Sequence, residues 1–172
     1  MTRETIIIAF RFIFLALVQT LVLNNIYFFD YINPNLYILF ILQYPIGSKR
    51  TNFLIISFLF GLTIDFFSNS GGVNAAATIA MAYFSLPILR LLQNYKDTDF
   101  KLFKLHNESF LRVITYVIIL TFIHHFILFS LEYSSLKEIR SIFCKTISTS
   151  VFTVFLCIVA IYLFGKDKTS NL

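Results

Sequence analysis

Four apolar runs, residues 5–26, 73–92, 110–131 and 142–164, are each long enough to cross the roughly 30 Å hydrocarbon core of a bilayer as a helix. A run that is apolar on every side has no face to offer water, and a helix satisfies its own backbone in lipid. Composition supports the inference: 58% of the 172 residues are apolar and 13% charged, too few polar groups to clothe a soluble domain. The expected fold is all-α, one transmembrane domain over residues 1–172, with lipid as its surroundings.

Two shorter apolar runs, 34–47 and 51–67, flank Ser48-Lys49-Arg50. Because basic loops stay cytoplasmic, the distribution of Lys and Arg decides whether both cross. With six spans and both termini inside, Arg3, Arg11, Lys49, Arg50, Arg90, Lys96, Lys101, Lys104, Arg112, Lys166 and Lys168 are cytoplasmic, eleven of the 14 basic residues. Only Lys137, Arg140 and Lys145 then lie outside. Without a crossing at 34–47 everything after it inverts, and only five of the 14, Arg3, Arg11, Lys137, Arg140 and Lys145, lie inside. Six spans are therefore expected, at 5–26, 34–47, 51–67, 73–92, 110–131 and 142–164. The second is short, since 14 residues reach about 21 Å, and its ends are marked by Asn33-Pro34 and by Pro45 and Gly47.

The first run is read as a retained span, because Leu23-Asn24-Asn25-Ile26 offers no small-residue cleavage pattern. The formal charge of +5 is spread over short gaps and forms no tract for nucleic acid. Cys144 and Cys157 stand about 20 Å apart along one helix and are read as small hydrophobes.

Polar groups inside spans are where function should show. Ser57, Gly61 and Asp65 recur every four residues on the third span, and Gly72, Ala76 and Ala80 recur likewise at the start of the fourth. Small residues at that spacing let helix backbones approach closely, so a tight hairpin is expected, with Asp65 bracing its turn through Asn69, Asn74 or amides near Gly71-Gly72. Arg11 is read as snorkelling to the interface without a buried partner. His124 and His125 point about 100° apart, so one is expected to face the bundle and to serve a structural role. Thr146, Ser150 and Thr153 are read as contacts between helices. No metal site, cofactor or catalytic grouping is expected, and the chain is read as a non-enzyme. An ion-coupled carrier is disfavoured, because no acidic residue lies near mid-membrane.

The stretch Phe60-Gly61-Leu62-Thr63-Ile64-Asp65-Phe66-Phe67, with Gly72-Val73-Asn74-Ala75 and Met81-Ala82-Tyr83-Phe84, resembles the signature of the rod shape-determining MreD family. Chain length, six spans and short loops fit that family, while the weakly polar sixth span departs from it. The resemblance implies a non-enzymatic, multi-pass component of the bacterial inner membrane. Such a component supports side-wall peptidoglycan synthesis and binds MreC, which links it to MreB, RodA and the elongation transpeptidase. The competing class is the substrate-capture component of an energy-coupling-factor vitamin transporter, also a six-helix bundle. It is disfavoured because Ala9 and Ala16 miss the Ala-x-x-x-Ala docking spacing, and only residues 27–35, with Asp30, could form a lid.

Overall fold

The computed structural model describes residues 3–26, 33–45, 50–93, 108–133 and 138–164. Five helical stretches are long and apolar enough to cross a membrane: Thr5–Asn25, Arg50–Ser68, Val73–Leu92, Phe110–Tyr133 and Ile139–Leu163. At 19 to 25 residues, each is about 28–38 Å long. The protein is a multi-pass membrane protein. Its helices are α1 (Arg3–Leu17), α2 (Leu39–Leu42), α3 (Arg50–Ser68), α4 (Val73–Gln93), α5 (Phe110–Tyr133) and α6 (Ile139–Phe164). The first of the long stretches is not one uniform helix. Beyond α1 it loosens into a π-helical turn, Val18–Val22, and then tightens into a 3-10 turn, Leu23–Asn25.

Three contacts fix the directions of the chain. Asn24 Nδ2 donates to Ser68 Oγ at 2.7 Å, so α1 and α3 finish at the same end of the bundle, called here the turn end. Asn74 of α4 and His124 of α5 both meet the Tyr37 hydroxyl near that end. Ser85 and Tyr116 share a cavity wall with Arg50 and Phe53 at the opposite end, and α4 and α5 are therefore antiparallel. Half of the α5 stretch is buried inside the protein, against 17% of the first, which makes α5 the central helix and α1 the peripheral one.

The expected second span is where the structure departs from the sequence reading. Residues 34–47 are expected to form a short spanning helix starting at Pro34, but among the described residues helical structure covers a 3-10 turn, Leu36–Ile38, and α2. That is about 11 Å of rise, too little to cross a bilayer. The end expected at Gly47 lies outside the described residues. This inner segment is instead enclosed by the other helices. Tyr37, Ile38, Phe40, Ile41 and Leu42 are buried, and Phe60 of α3 packs on Phe40 at 4.5 Å and on Phe12 of α1 at 4.8 Å between ring centroids. Irregular backbone is tolerated at membrane depth when protein surrounds it.

A short segment leaves backbone donors and acceptors free at both ends, and other helices supply the partners. Gln19, buried at the π-helical turn, donates from Nε2 to Pro34 O at 3.2 Å and accepts the Tyr37 N–H on Oε1 at 3.3 Å. Thr153 Oγ1 of α6 accepts the Asn35 N–H at 3.3 Å. At the far end Arg11 Nη1 donates to Gln43 O at 3.3 Å. Arg11 is expected to snorkel without a buried partner, and in the structure its part-buried bond closes the carbonyl end of the segment. The segment thus returns the chain from the level of Gln19 to that of Arg11.

Candidate functional site

The polar core is built outward from Asp65. Helix α3 ends in a Schellman turn: Asn69 takes the left-handed conformation (φ 52°) and the Ser70 N–H donates to Asp65 O at 3.2 Å. Gly71 and Gly72 follow with φ of 66° and 94°, a backbone path that side chains resist, and they reverse the chain into α4. The Asp65 carboxylate then lies over the start of α4. Its Oδ2 accepts the Ala75 N–H at 2.7 Å. Its Oδ1 accepts the Asn74 N–H at 2.9 Å, Asn74 Nδ2 at 3.0 Å and the Ser70 hydroxyl at 2.6 Å. Asp65 therefore caps a helix other than its own, placing an acceptor where amides are unpaired and the helix dipole is positive.

Asn74 passes this order inward. With Nδ2 committed to Asp65 and to Ser70 Oγ, 2.8 Å away, Asn74 Oδ1 is free to accept the Tyr37 hydroxyl at 2.8 Å. That hydrogen being used, the neutral ring of His124, with Nε2 2.8 Å from the same oxygen, must donate from Nε2 and carry a bare lone pair on Nδ1. His125 takes the other tautomer. Its Nδ1 lies 2.8 Å from Thr121 O, a carbonyl that can only accept, so Nδ1 holds the hydrogen. Its Nε2 accepts from Asn35 Nδ2 at 3.4 Å and from the Thr153 hydroxyl at 3.5 Å.

Both histidines are fully buried, whereas one was expected to face away from the bundle. The correction follows from the central position of α5, which packs against α4 on one side and α6 on the other. His124 serves α4 and the inner segment; His125 serves the inner segment and α6.

The helix-packing residues fall as follows. Ser57 is buried and bonds Phe53 O of its own helix at 2.6 Å. At Gly61 a Cβ would stand 2.6 Å from Ala75 Cα and 2.8 Å from Asn74 O, so α3 and α4 meet backbone to backbone. Their meeting face is one position away from the Gly72, Ala76 and Ala80 stripe: Ala75 lies against Gly61, Gly72 belongs to the turn, and Ala76 and Ala80 are half-buried. Asp65 is bonded by Ser70, Asn74 and Ala75 rather than by Asn69.

On α6, Thr153 meets the inner segment, while the hydroxyls of Thr146, Thr149 and Ser150 are buried without a hydrogen-bond partner among the described residues. Near the turn end Lys145 lies 3.5 Å from Glu132 and 4.8 Å over the Phe129 ring.

Sequence reasoning overlooked Gln19, Asn35 and Tyr37. A lone glutamine within an apolar run was a signal for the first. Nothing in the sequence pointed to the tyrosine, because its hydroxyl gains its role only from the fold. Chemically, the arrangement holds the inner segment, α3, α4, α5 and α6 in register through direct hydrogen bonds. No family model matches the chain, and no curated protein or solved structure was found to be similar to it.

Proposed function

We propose that this protein is a non-enzymatic component of the bacterial cell-elongation machinery, a relative of the MreD family that spans the inner membrane with both termini cytoplasmic. In this reading it binds MreC and through it supports RodA and the elongation transpeptidase above MreB filaments. The observation that carries the reading is how the motif residues are used. Gly61, Asp65, Asn74 and Ala75 close the α3–α4 hairpin by direct contact, so the signature is one of architecture. A rigid bundle with an apolar exterior acts through helices docked on its flanks. In this reading residues 27–49 as a whole, with the inner segment in their middle, bring the chain back to the face that carries Arg50, Arg90 and Arg112, opposite the turns.

The substrate-capture alternative is less well supported. A pocket for a vitamin-sized ligand takes about 300 Å³ or more, and the centre of this bundle is filled by Tyr37, Phe40 and Phe60. The cavity lined by Ile41, Tyr44, Arg50, Phe53, Ser85 and Tyr116 is about 10 Å³, the room of about one water molecule.

Depletion of the protein in its native host tests the proposal: rods are expected to round up within a few generations, and MreC is expected to co-purify with the tagged protein. Rods of unchanged width together with no MreC recovery would overturn it.

A further inference from the structure

The contact of Gly61 with Ala75 fixes the register of α3 and α4. Followed equally far along each antiparallel helix, that register brings Arg50 level with Leu86, and both line the cavity at the end opposite the turns. Of the other lining residues Tyr44, Phe53, Ser85 and Tyr116 are buried, whereas Arg50 and Pro45 are exposed, so the cavity opens beside Arg50. Inside there is room for about one water molecule, and a larger ligand is held at the mouth.

At that mouth the Arg50 guanidinium stands 4.9 Å over the centroid of the Tyr83 ring. Stacking holds the planar group by its face and leaves its N–H edge to meet an acceptor. Arg50 has no carboxylate partner among the described residues, and the acidic residue beside α5 at this end, Glu108, is held by Arg112 at 3.3 Å. The surroundings are apolar: Ile55 of α3 and Tyr83, Phe84 and Leu91 of α4 are exposed. Toward mid-depth Ala80 and Ala76 follow Tyr83 on the same face of α4 and are half-buried, so the helix surface recedes below the ring. A ligand suited to this place presents anionic oxygens to the guanidinium and a long apolar chain to the flank. An anionic phospholipid carries both, and basic pockets between membrane helices take such headgroups. Free phosphate carries the first alone.

We propose that the shelf formed by Arg50 and Tyr83 binds the phosphodiester of an anionic membrane lipid, with an acyl chain laid along Ala80 and Ala76.

Native mass spectrometry of the full chain in detergent tests this, with phosphatidylglycerol or phosphatidylcholine of equal chain length added. Choline cancels the phosphate charge, so phosphatidylglycerol is expected to be retained severalfold more. Arg50→Gln is expected to lower that retention severalfold. Tyr83→Leu, which keeps the charge and removes an exposed ring, is expected to lower it by a smaller factor. Arg112→Gln, at an arginine already paired with Glu108, is expected to leave it unchanged, and excess inorganic phosphate is expected not to displace the lipid. Equal retention of the two lipids by the wild type overturns the proposal. So does an Arg50→Gln variant that retains as much as wild type, or an Arg112→Gln variant that loses as much as Arg50→Gln. Displacement by inorganic phosphate overturns it in favour of a free-phosphate site. Undiminished retention by a Tyr83→Leu variant with wild-type circular dichroism overturns it too, and that variant decides alone where Arg50→Gln does not fold.

Discussion

The α3–α4 hairpin and the α5–α6 pair are both antiparallel, both joined near the same end of the bundle, and held together in opposite ways. Between α3 and α4 the Asp65 carboxylate accepts four direct hydrogen bonds at the turn, and Gly61 lets the backbones touch. Between α5 and α6 the direct polar contacts include the long Thr153–His125 bond and the Lys145–Glu132 pair, and several α6 hydroxyls have no partner among the described residues. In lipid, where apolar contact alone gives helices little reason to associate, the first interface should be rigid and intolerant of change. The second should be tolerant. Tyr37 stands between them, reaching Asn74 on one side and His124 on the other.

Substitutions can break or sharpen that contrast. The largest effect is expected from Asp65→Ala, which strands two amide donors, a hydroxyl and a side-chain amide in a buried site. With charged-group bonds at about 1.5–3 kcal/mol each and not additive, a loss of at least about 3 kcal/mol is expected. It is read as a lowered thermal midpoint in detergent by circular dichroism, and an unchanged midpoint would remove the basis for calling this hairpin locked. Next comes Gly61→Ala, whose methyl meets backbone atoms that cannot turn aside. Overpacking of this kind costs about 1–3 kcal/mol, and reduced accumulation in the membrane should report it. Tyr37→Phe follows, deleting one hydroxyl shared by Asn74 and His124 at about 1–2 kcal/mol; the same thermal assay measures it. The smallest effect is expected at Thr146→Val, where no direct partner is lost and the change should stay within about 0.5 kcal/mol. A loss as large as that of Gly61→Ala would show the α5–α6 seam to be as tightly built as the hairpin.

The hairpin was legible in part. The period of four in Ser57, Gly61 and Asp65 identified the contacting face of α3, because helical geometry alone puts those positions in line. The facing stripe on α4 was placed one residue off, since the rotation of α4 about its axis is set by the turn. Asn69, Gly71 and Gly72, all at positive φ, use up Gly72 as the residue before the helix and bring Ala75 to Gly61. The histidine pair was visible as a pair, but its two tautomers were not. The hydrogen of His124 is assigned by Tyr37, 87 residues away, and that of His125 by the Thr121 carbonyl one turn back on its own helix.

The amino-acid sequence by itself determined that the chain is helical and lies in lipid, because about 20 consecutive apolar residues leave a backbone no other way to satisfy its polar groups away from water. Tertiary structure alone decided the inner segment. A helix of seven residues cannot close its own ends, so its length and position depend on Gln19, Arg11 and Thr153. Those side chains reach it only once the longer helices have come together.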